Sequence, residues 1–249
     1  MIYIIGIGPG GVDEITPRAM EAIMKCDLVA GYTKYIDLLE SVLKGKKNTF
    51  TTGMTQERGR CEFCLGIARD LGKNVALISS GDSGVYGMAG LMLEVAQGSG
   101  QEVQIIPGIT AANSCAAILG APLMNDYVTI SLSDILTDWL TIERRLVAAC
   151  MGDFVLCIYN PASKHRPDHF RRACEILIKH GKSPDTPAGY VRNIGREGQT
   201  HEVITLGEIM TREIDMLCTI IIGNSQSYVI DGKIITPRGY NNSHPNREG

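Results

Sequence analysis

Apolar and polar positions along the 249-residue chain fall into short blocks with two different periods. Ile2 to Ile7 is a nearly continuous apolar run, the pattern of a strand buried on both faces. Asn74 to Ser79 and Glu102 to Ile106 repeat it, and Leu28 to Ala30 is a shorter version. Segments with helical spacing lie between and after them: Thr16 to Lys25, Lys34 to Leu43, Gln56 to Leu71, Gly87 to Gln97 and Thr110 to Leu119. Thr16 reads as an N-cap with Pro17 in the first helical position, and Gly72 reads as the stop of the third helix. Strand–helix alternation predicts a mostly parallel sheet with crossover helices.

The second half has a different rhythm. Strands are predicted at Asp126 to Leu132, Asp153 to Tyr159, Thr186 to Arg192, His201 to Leu206 and Leu217 to Ile222. Helices are predicted at Trp139 to Cys150 and Pro167 to His180, with a helical turn from Gly207 to Arg212. Strands this close together predict a mixed sheet. Gly120 to Asn125 reads as a hinge. The expected organisation is therefore two α/β domains, residues 1–120 and 121–240, with a polar, disordered tail at 241–249.

Composition adds three constraints. The 28 glycines stand beside only 10 prolines, which indicates many tight turns. Twenty-four Lys and Arg against 27 Asp and Glu give a formal charge of −3. No cation surplus is available to coat nucleic acid, although a local basic pocket stays possible. There is no basic leader and no apolar run long enough to span a bilayer, so the expected location is the cytoplasm, with no membrane partner. The eight cysteines are then expected as reduced thiols. Only Cys61 and Cys64 have metal-like spacing, without the second pair or nearby histidines that zinc requires. They are expected to share one apolar helix face with Leu65, Ala68 and Leu71, and no metal is expected. His165 and His169 are spaced i, i+4, but Pro167 interrupts the face they would share.

Three glycine loops follow three of the strands. Gly6-Ile7-Gly8-Pro9-Gly10-Gly11 matches G-x-G-x-x-G, the dinucleotide fingerprint. Against that reading, the next helix starts several residues too late, at Thr16-Pro17. No acid follows the second strand in Ala30-Gly31-Tyr32-Thr33-Lys34, and Pro9 lacks an N–H for a phosphate. The second loop, Ser79 to Gly87, contains Asp82, which could accept hydrogen bonds from a ligand ammonium or hydroxyl, or cap the next helix. The third is Pro107-Gly108-Ile109-Thr110-Ala111-Ala112. Placed at the ends of parallel strands on one edge, the three would form a ligand pocket.

In order and spacing, Gly6-x-Gly8-Pro9-Gly10, Gly81-Asp82 with Tyr86-Gly87, and Pro107-Gly108-Ile109-Thr110-Ala111 together resemble the tetrapyrrole methylase family. The resemblance covers nearly the whole chain. It implies two α/β domains with S-adenosylmethionine in the cleft between them, S-adenosylhomocysteine as product, a homodimer, and a tetrapyrrole substrate. Carried over residue by residue, it implies cofactor contacts at Pro9, Ser80, Gly81, Asp82, Val85, Tyr86, Thr110 and Ala111, and at Tyr159, Asn193, Thr219 and Ile220 in the second domain. Many members carry an acid where Gly11 stands here; Asp13 is the nearby substitute. The segments 31–35, 159–164, 193–198 and 223–228 look like the branch that methylates C17 of a precorrin-3B-type macrocycle and contracts its ring.

Methyl transfer from a sulfonium requires alignment and exclusion of water rather than a protein nucleophile. Ring contraction calls for an acid or base, and Ser131, Ser133 and Asp134 are candidates, with N-capping of the following turn as their alternative role. Substrate carboxylates call for cations. Those beside turns are Lys34, Arg58, Lys164, Arg166, Arg192, Arg196 and Arg238. Lys34, Lys164 and Arg196 are taken as substrate contacts, together with Gly8 and Gly10. Rival readings are a family member acting at C11 or C2/C7, a diphthamide or ribosomal-RNA methylase of the same fold, an NAD-dependent oxidoreductase, and a non-catalytic nucleotide-binding module.

Overall fold

The apolar runs of the first half form the strands they predict. The computed structural model describes residues 1–43, 45, 48–53 and 55–239. It divides into two compact units, Met1–Ala111 and Ala112–Gly249. The first unit contains β1 (Ile2–Gly6), α1 (Pro17–Lys25), β2 (Leu28–Tyr32), α2 (Thr33–Leu43), β3 (Asn48–Thr52), α3 (Glu57–Leu71), β4 (Val75–Ser79), α4 (Ala89–Ala96) and β5 (Val103–Ile106). Its five strands are all parallel, in the order β3-β2-β4-β1-β5. Alternate strand residues serve opposite faces. Ile5, Ile7, Val29 and Ile78 pack against α1 and α2 through Ala19, Ile23, Ile36 and Leu39. Ile2, Ile4, Ala30 and Leu77 pack against α3 and α4 through Cys61, Cys64, Ala68 and Met92.

The expected helix signals hold. Thr16 Oγ1 accepts from the Ala19 N–H at 3.1 Å and Pro17 occupies the first helical position. Gly72 closes α3 with φ +61°. Leu71 departs from its expected face: it sits at the last position of α3 and is 62% exposed. β3 escapes sequence reading because it is a polar edge strand. Only Phe50 and Thr52 are half-buried, and Phe50 stacks on Phe63 at 3.7 Å between centroids. The buried Arg60 fixes the end of β3, donating to Thr52 Oγ1 and the Gly53 carbonyl.

The second unit takes α5 (Ala111–Leu119), which begins at the division, then β6 (Gly120–Ala121), β7 (Tyr127–Ser131), α6 (Trp139–Met151), β8 (Val155–Tyr159) and α7 (His169–Lys179). β9 (Pro187–Arg192), β10 (Thr200–Thr205), α8 (Leu206–Ile209), β11 (Cys218–Ile222), β12 (Tyr228–Ile230) and β13 (Lys233–Ile235) follow. The main sheet is mixed, as expected: its order is β10-β9-β11-β8-β7, and only β7 and β8 pair in parallel. A second sheet, β12-β13-β6, has no counterpart in the sequence reading. It takes up part of the expected hinge, because Gly120 and Ala121 pair with Ile234 and Ile235. The division therefore falls at 111/112 rather than 120/121. α5 goes with the second unit: Cys115 Sγ donates to the Thr219 carbonyl at 3.4 Å and the Ala112 N–H to Tyr159 Oη at 2.8 Å. The expected disordered tail, 241–249, lies outside the described residues. Among the described residues no helix is long and apolar enough to cross a membrane.

All eight cysteines are free, and seven are buried. Burial pushes the Cys61 thiol up to about 11 and those of Cys64, Cys157 and Cys174 up to about 12. Thiolate is the reactive form. The native protein at pH 8 is thus expected to consume one equivalent of a disulfide reagent quickly, at the half-buried Cys150, and all eight only after denaturation. Cys150→Ala should abolish the fast phase. Fast reaction of several thiols in native Cys150→Ala would contradict the packing described.

Candidate functional site

β1 sits between β4 and β5, so the loops leaving these three strands are neighbours at the carboxyl edge of the sheet. The chain leaves β1 toward β2 on one side, whereas β4 connects past β1 to β5 on the other. Such a reversal opens a crevice at the strand ends in open α/β sheets. The sequence expectation of three glycine loops on one edge is met.

The loops lie backbone against backbone. Gly8 N–H donates to the Gly81 carbonyl at 3.1 Å, and Gly81 N–H returns a bond to the Gly8 carbonyl at 2.7 Å. A Cβ on Gly108 would stand 2.3 Å from the Gly81 carbonyl oxygen and 2.6 Å from the Gly6 carbonyl carbon. A Cβ on Gly6 would meet the Gly108 nitrogen at 2.6 Å. Neither position has room for a side chain, because the opposing atoms are backbone.

Asp82 joins the second loop to the third. Its Oδ1 accepts from the Gly84 N–H at 2.7 Å and its Oδ2 from the Gly108 N–H at 2.9 Å. It does not cap α4, whose N-cap position is Met88. Tyr86, in the same loop, holds a left-handed backbone with φ +54° while 53% exposed. Strain at an exposed aromatic residue marks a functional position more often than a packing one. The side-chain oxygens of Ser79 and Ser83, residues 4% and 0% exposed, meet no hydrogen-bond partner among the described residues.

These loops suit S-adenosylmethionine. The segments 6–11, 80–87 and 107–110 contain no Lys or Arg and one acid, Asp82. They offer carbonyl oxygens and one carboxylate to a ligand that carries a sulfonium and an ammonium. A pyrophosphate would meet no cation here and would lose an N–H at Pro9. The glycine backbone that a Cβ would obstruct allows close approach. Pro9, Ser80, Gly81, Asp82, Val85, Tyr86, Thr110 and Ala111, with Gly8 and Gly10, all belong to this set of loops or their edges.

In the second unit, Tyr159 ends β8 and Asn193 follows β9 with φ +53°. Thr219 and Ile220 are buried in β11, Thr219 opposite Val191 and Ile220 opposite Ile158. Tyr159, Asn193 and Thr219 therefore gather toward one end of that sheet. Lys34 and Lys164 are exposed and Arg196 is half-buried in a turn, its N–H bonded to the Asn193 carbonyl at 2.9 Å.

Ser131 and Asp134 are both engaged. Ser131 Oγ accepts from Asn160 Nδ2 at 2.9 Å and from the Ser133 N–H at 3.2 Å. Asp134 Oδ2 lies 3.1 Å from His169 Nε2, and its Oδ1 is 3.7 Å from Arg166 Nε. Burial pushes the Asp134 carboxyl up, but the hydrogen bond and charge of His169, with Arg166 behind them, outweigh it and hold the group below the usual carboxylate range. Asp134 therefore stays ionised near neutral pH and is poorly suited to act as an acid. Of the three residues expected as catalytic groups or as caps of the following turn, Ser131 caps locally through the Ser133 N–H, while α6 itself is capped by Asp138, bonded to the Thr141 N–H at 2.9 Å. His169 also stands edge-on to Trp139 at 4.7 Å. Sequence reading missed Asn160 and the role of His169. The Asn-Pro step at 160–161 was the available signal for Asn160, whereas nothing local marks His169 as the partner of Asp134.

The family of tetrapyrrole (corrin/porphyrin) methylases matches residues 1–210. The chain belongs to this family. The probable cobalt-factor III C(17)-methyltransferase of Salmonella typhimurium is 47% identical over 242 residues, 96% of this chain and 99% of that protein. The crystal structure of the methyltransferase CobJ matches with TM-score 0.87 and 32% identity, covering 95% of this chain and 99% of that one. The uroporphyrin-III C-methyl transferase of Thermus thermophilus, solved in complex with S-adenyl homocysteine, shares the fold with TM-score 0.67 at 19% identity, over 89% and 91% of the two chains. For this tetrapyrrole methylase, the dinucleotide-binding reading of the first loop is set aside, in line with the late start of α1 at Pro17.

Proposed function

We propose that this tetrapyrrole methylase is an S-adenosylmethionine-dependent C-methyltransferase of cobalamin biosynthesis, methylating C17 of precorrin-3B or cobalt-factor III with associated ring contraction. The observation that carries the cofactor assignment is the fusion of three cation-free glycine loops, the first to the second through Gly8 and Gly81 and the second to the third through Asp82, which bonds the Gly108 N–H. The substrate assignment is supported by the 47% identity to a relative named for C17 methylation, over nearly the full length of both chains. Methylation at C11 or C2/C7, as in other branches of the family, is the alternative.

When bound, S-adenosylmethionine supplies a methyl group on an activated sulfonium. The protein's part is to bind, orient and exclude water. Gly8, Gly81 and Gly108 bring loop backbone close to the ligand, Asp82 keeps the second and third loops in register, and Tyr86 presents its ring at the loop surface. Tyr159, Asn193, Thr219 and Ile220 are proposed as further cofactor contacts. The enzyme is proposed to act as a homodimer in the cytoplasm.

Calorimetry tests the cofactor assignment. S-adenosylhomocysteine is expected to bind in the micromolar range and NAD not at all. Binding of NAD without S-adenosylhomocysteine would overturn it.

A further inference from the structure

At the carboxyl ends of the parallel pair β7 and β8 the chain gathers hydrogen-bond donors around a sheltered guanidinium. The Arg166 side chain is 12% exposed, unlike a solubilising surface arginine. Its Nη1 donates to the Leu132 carbonyl and its Nε to Ser163 Oγ, both at 3.2 Å. Its Nη2 meets no partner among the described residues. Asp134 does not close the fork: it stays 3.7 Å from Nε, and its other oxygen is turned to His169 at 3.1 Å. One Nη1 hydrogen and both Nη2 hydrogens therefore remain to donate, and a guanidinium with free donors is a good partner for a carboxylate.

Beside it, Ser131 Oγ already accepts two hydrogens, from Asn160 Nδ2 and the Ser133 N–H. A hydroxyl so occupied has its own O–H left to donate. Asn160 is held in a left-handed conformation, φ +50°, immediately before Pro161. From that conformation its amide donates to Ser131 Oγ at 2.9 Å. Leu132, which anchors Arg166 through its carbonyl, is the residue after Ser131, so both groups are held at the end of β7.

We propose that Arg166, Ser131 and Asn160 form a carboxylate-binding subsite that positions an acetate or propionate side chain of the macrocyclic substrate. Asp134 and His169 act through Arg166 as positioning residues: they hold the segment after β7 against the start of α7. The subsite rests on the substrate class given under Proposed function. The cofactor also carries a carboxylate, and the test separates the two sources.

The experiment measures binding of uroporphyrin III, a stable octacarboxylate, coproporphyrin III, a tetracarboxylate, and S-adenosylhomocysteine to the full chain and its variants. Arg166→Ala is expected to weaken uroporphyrin binding at least tenfold, to narrow its preference over coproporphyrin, and to leave S-adenosylhomocysteine affinity within twofold. Arg166→Lys should fall between, because a point charge replaces a fork. Ser131→Ala should weaken uroporphyrin severalfold and Ser131→Thr should restore it, which covers the case where Arg166→Ala does not fold. Unchanged porphyrin affinity in these variants, or a parallel loss of S-adenosylhomocysteine affinity, overturns the subsite. A wild-type chain that binds S-adenosylhomocysteine but neither porphyrin overturns both the subsite and the substrate reading.

Discussion

Gly108→Ala is expected to cost about 3 kcal/mol of stability and to abolish measurable S-adenosylhomocysteine binding. The added Cβ would lie 2.3 Å from the Gly81 carbonyl oxygen and 2.6 Å from the Gly6 carbonyl carbon. These are backbone atoms at the ends of β4 and β1, and no rotamer change moves them. Overpacking typically costs roughly 1–3 kcal/mol, and a clash against two strand ends belongs at the top of that range. Relief requires the loops to separate, which dismantles the contact between Gly8 and Gly81 as well. Gly90→Ala is the control: it lies in α4 with nothing within 4 Å of the added atom, and should gain roughly 0.4–1 kcal/mol. Urea unfolding of the two variants measures the contrast. If Gly108→Ala unfolds within about 0.5 kcal/mol of wild type, the close packing of the loops is not as described.

Asp82→Ala should lower S-adenosylhomocysteine affinity about 100-fold, some 2.7 kcal/mol, while the chain stays folded. Its carboxylate accepts from two backbone N–H groups, one in its own loop and one at Gly108. Hydrogen bonds to a charged group contribute about 1.5–3 kcal/mol each, and their loss leaves partly buried donors unmatched. The cost falls on the geometry of the loops more than on the global fold, because β1, β4 and β5 keep their pairings. Asp82→Asn retains a single acceptor oxygen and turns an N–H toward the other donor, so it should lose at least tenfold. Calorimetric affinities of both variants within twofold of wild type would remove Asp82 from the site.

Much of the first unit is legible in its sequence. The apolar runs of β1 and β4 are buried on both faces, and only a covered parallel sheet does that. Thr16-Pro17 and Gly72 set helix ends through local chemistry that needs no tertiary contact. Other features were hidden for physical reasons. β3 is polar because it is an edge strand with one half-buried aromatic, and β6, β12 and β13 are two or three residues long, too short for a period to show. The place of α5 depends on Tyr159 and Thr219, which are distant in sequence. At the candidate site, the residue types of the loops were readable, since glycine and aspartate advertise turns and acceptors. The bond from Asp82 to Gly108 was not, because it is a product of the strand order β4-β1-β5. The same holds for Asp134: its sequence neighbours suggested a cap, and only the fold brings His169 and Arg166 to it.

The most direct test of the account is turnover. The purified chain is incubated with precorrin-3B, or in parallel cobalt-factor III, and S-adenosylmethionine labelled in its methyl group, and the product is examined by mass and by carbon NMR. One labelled methyl at C17 of a ring-contracted product is the predicted result. Label at another carbon, or no transfer to either macrocycle by a chain that binds S-adenosylhomocysteine, would contradict it.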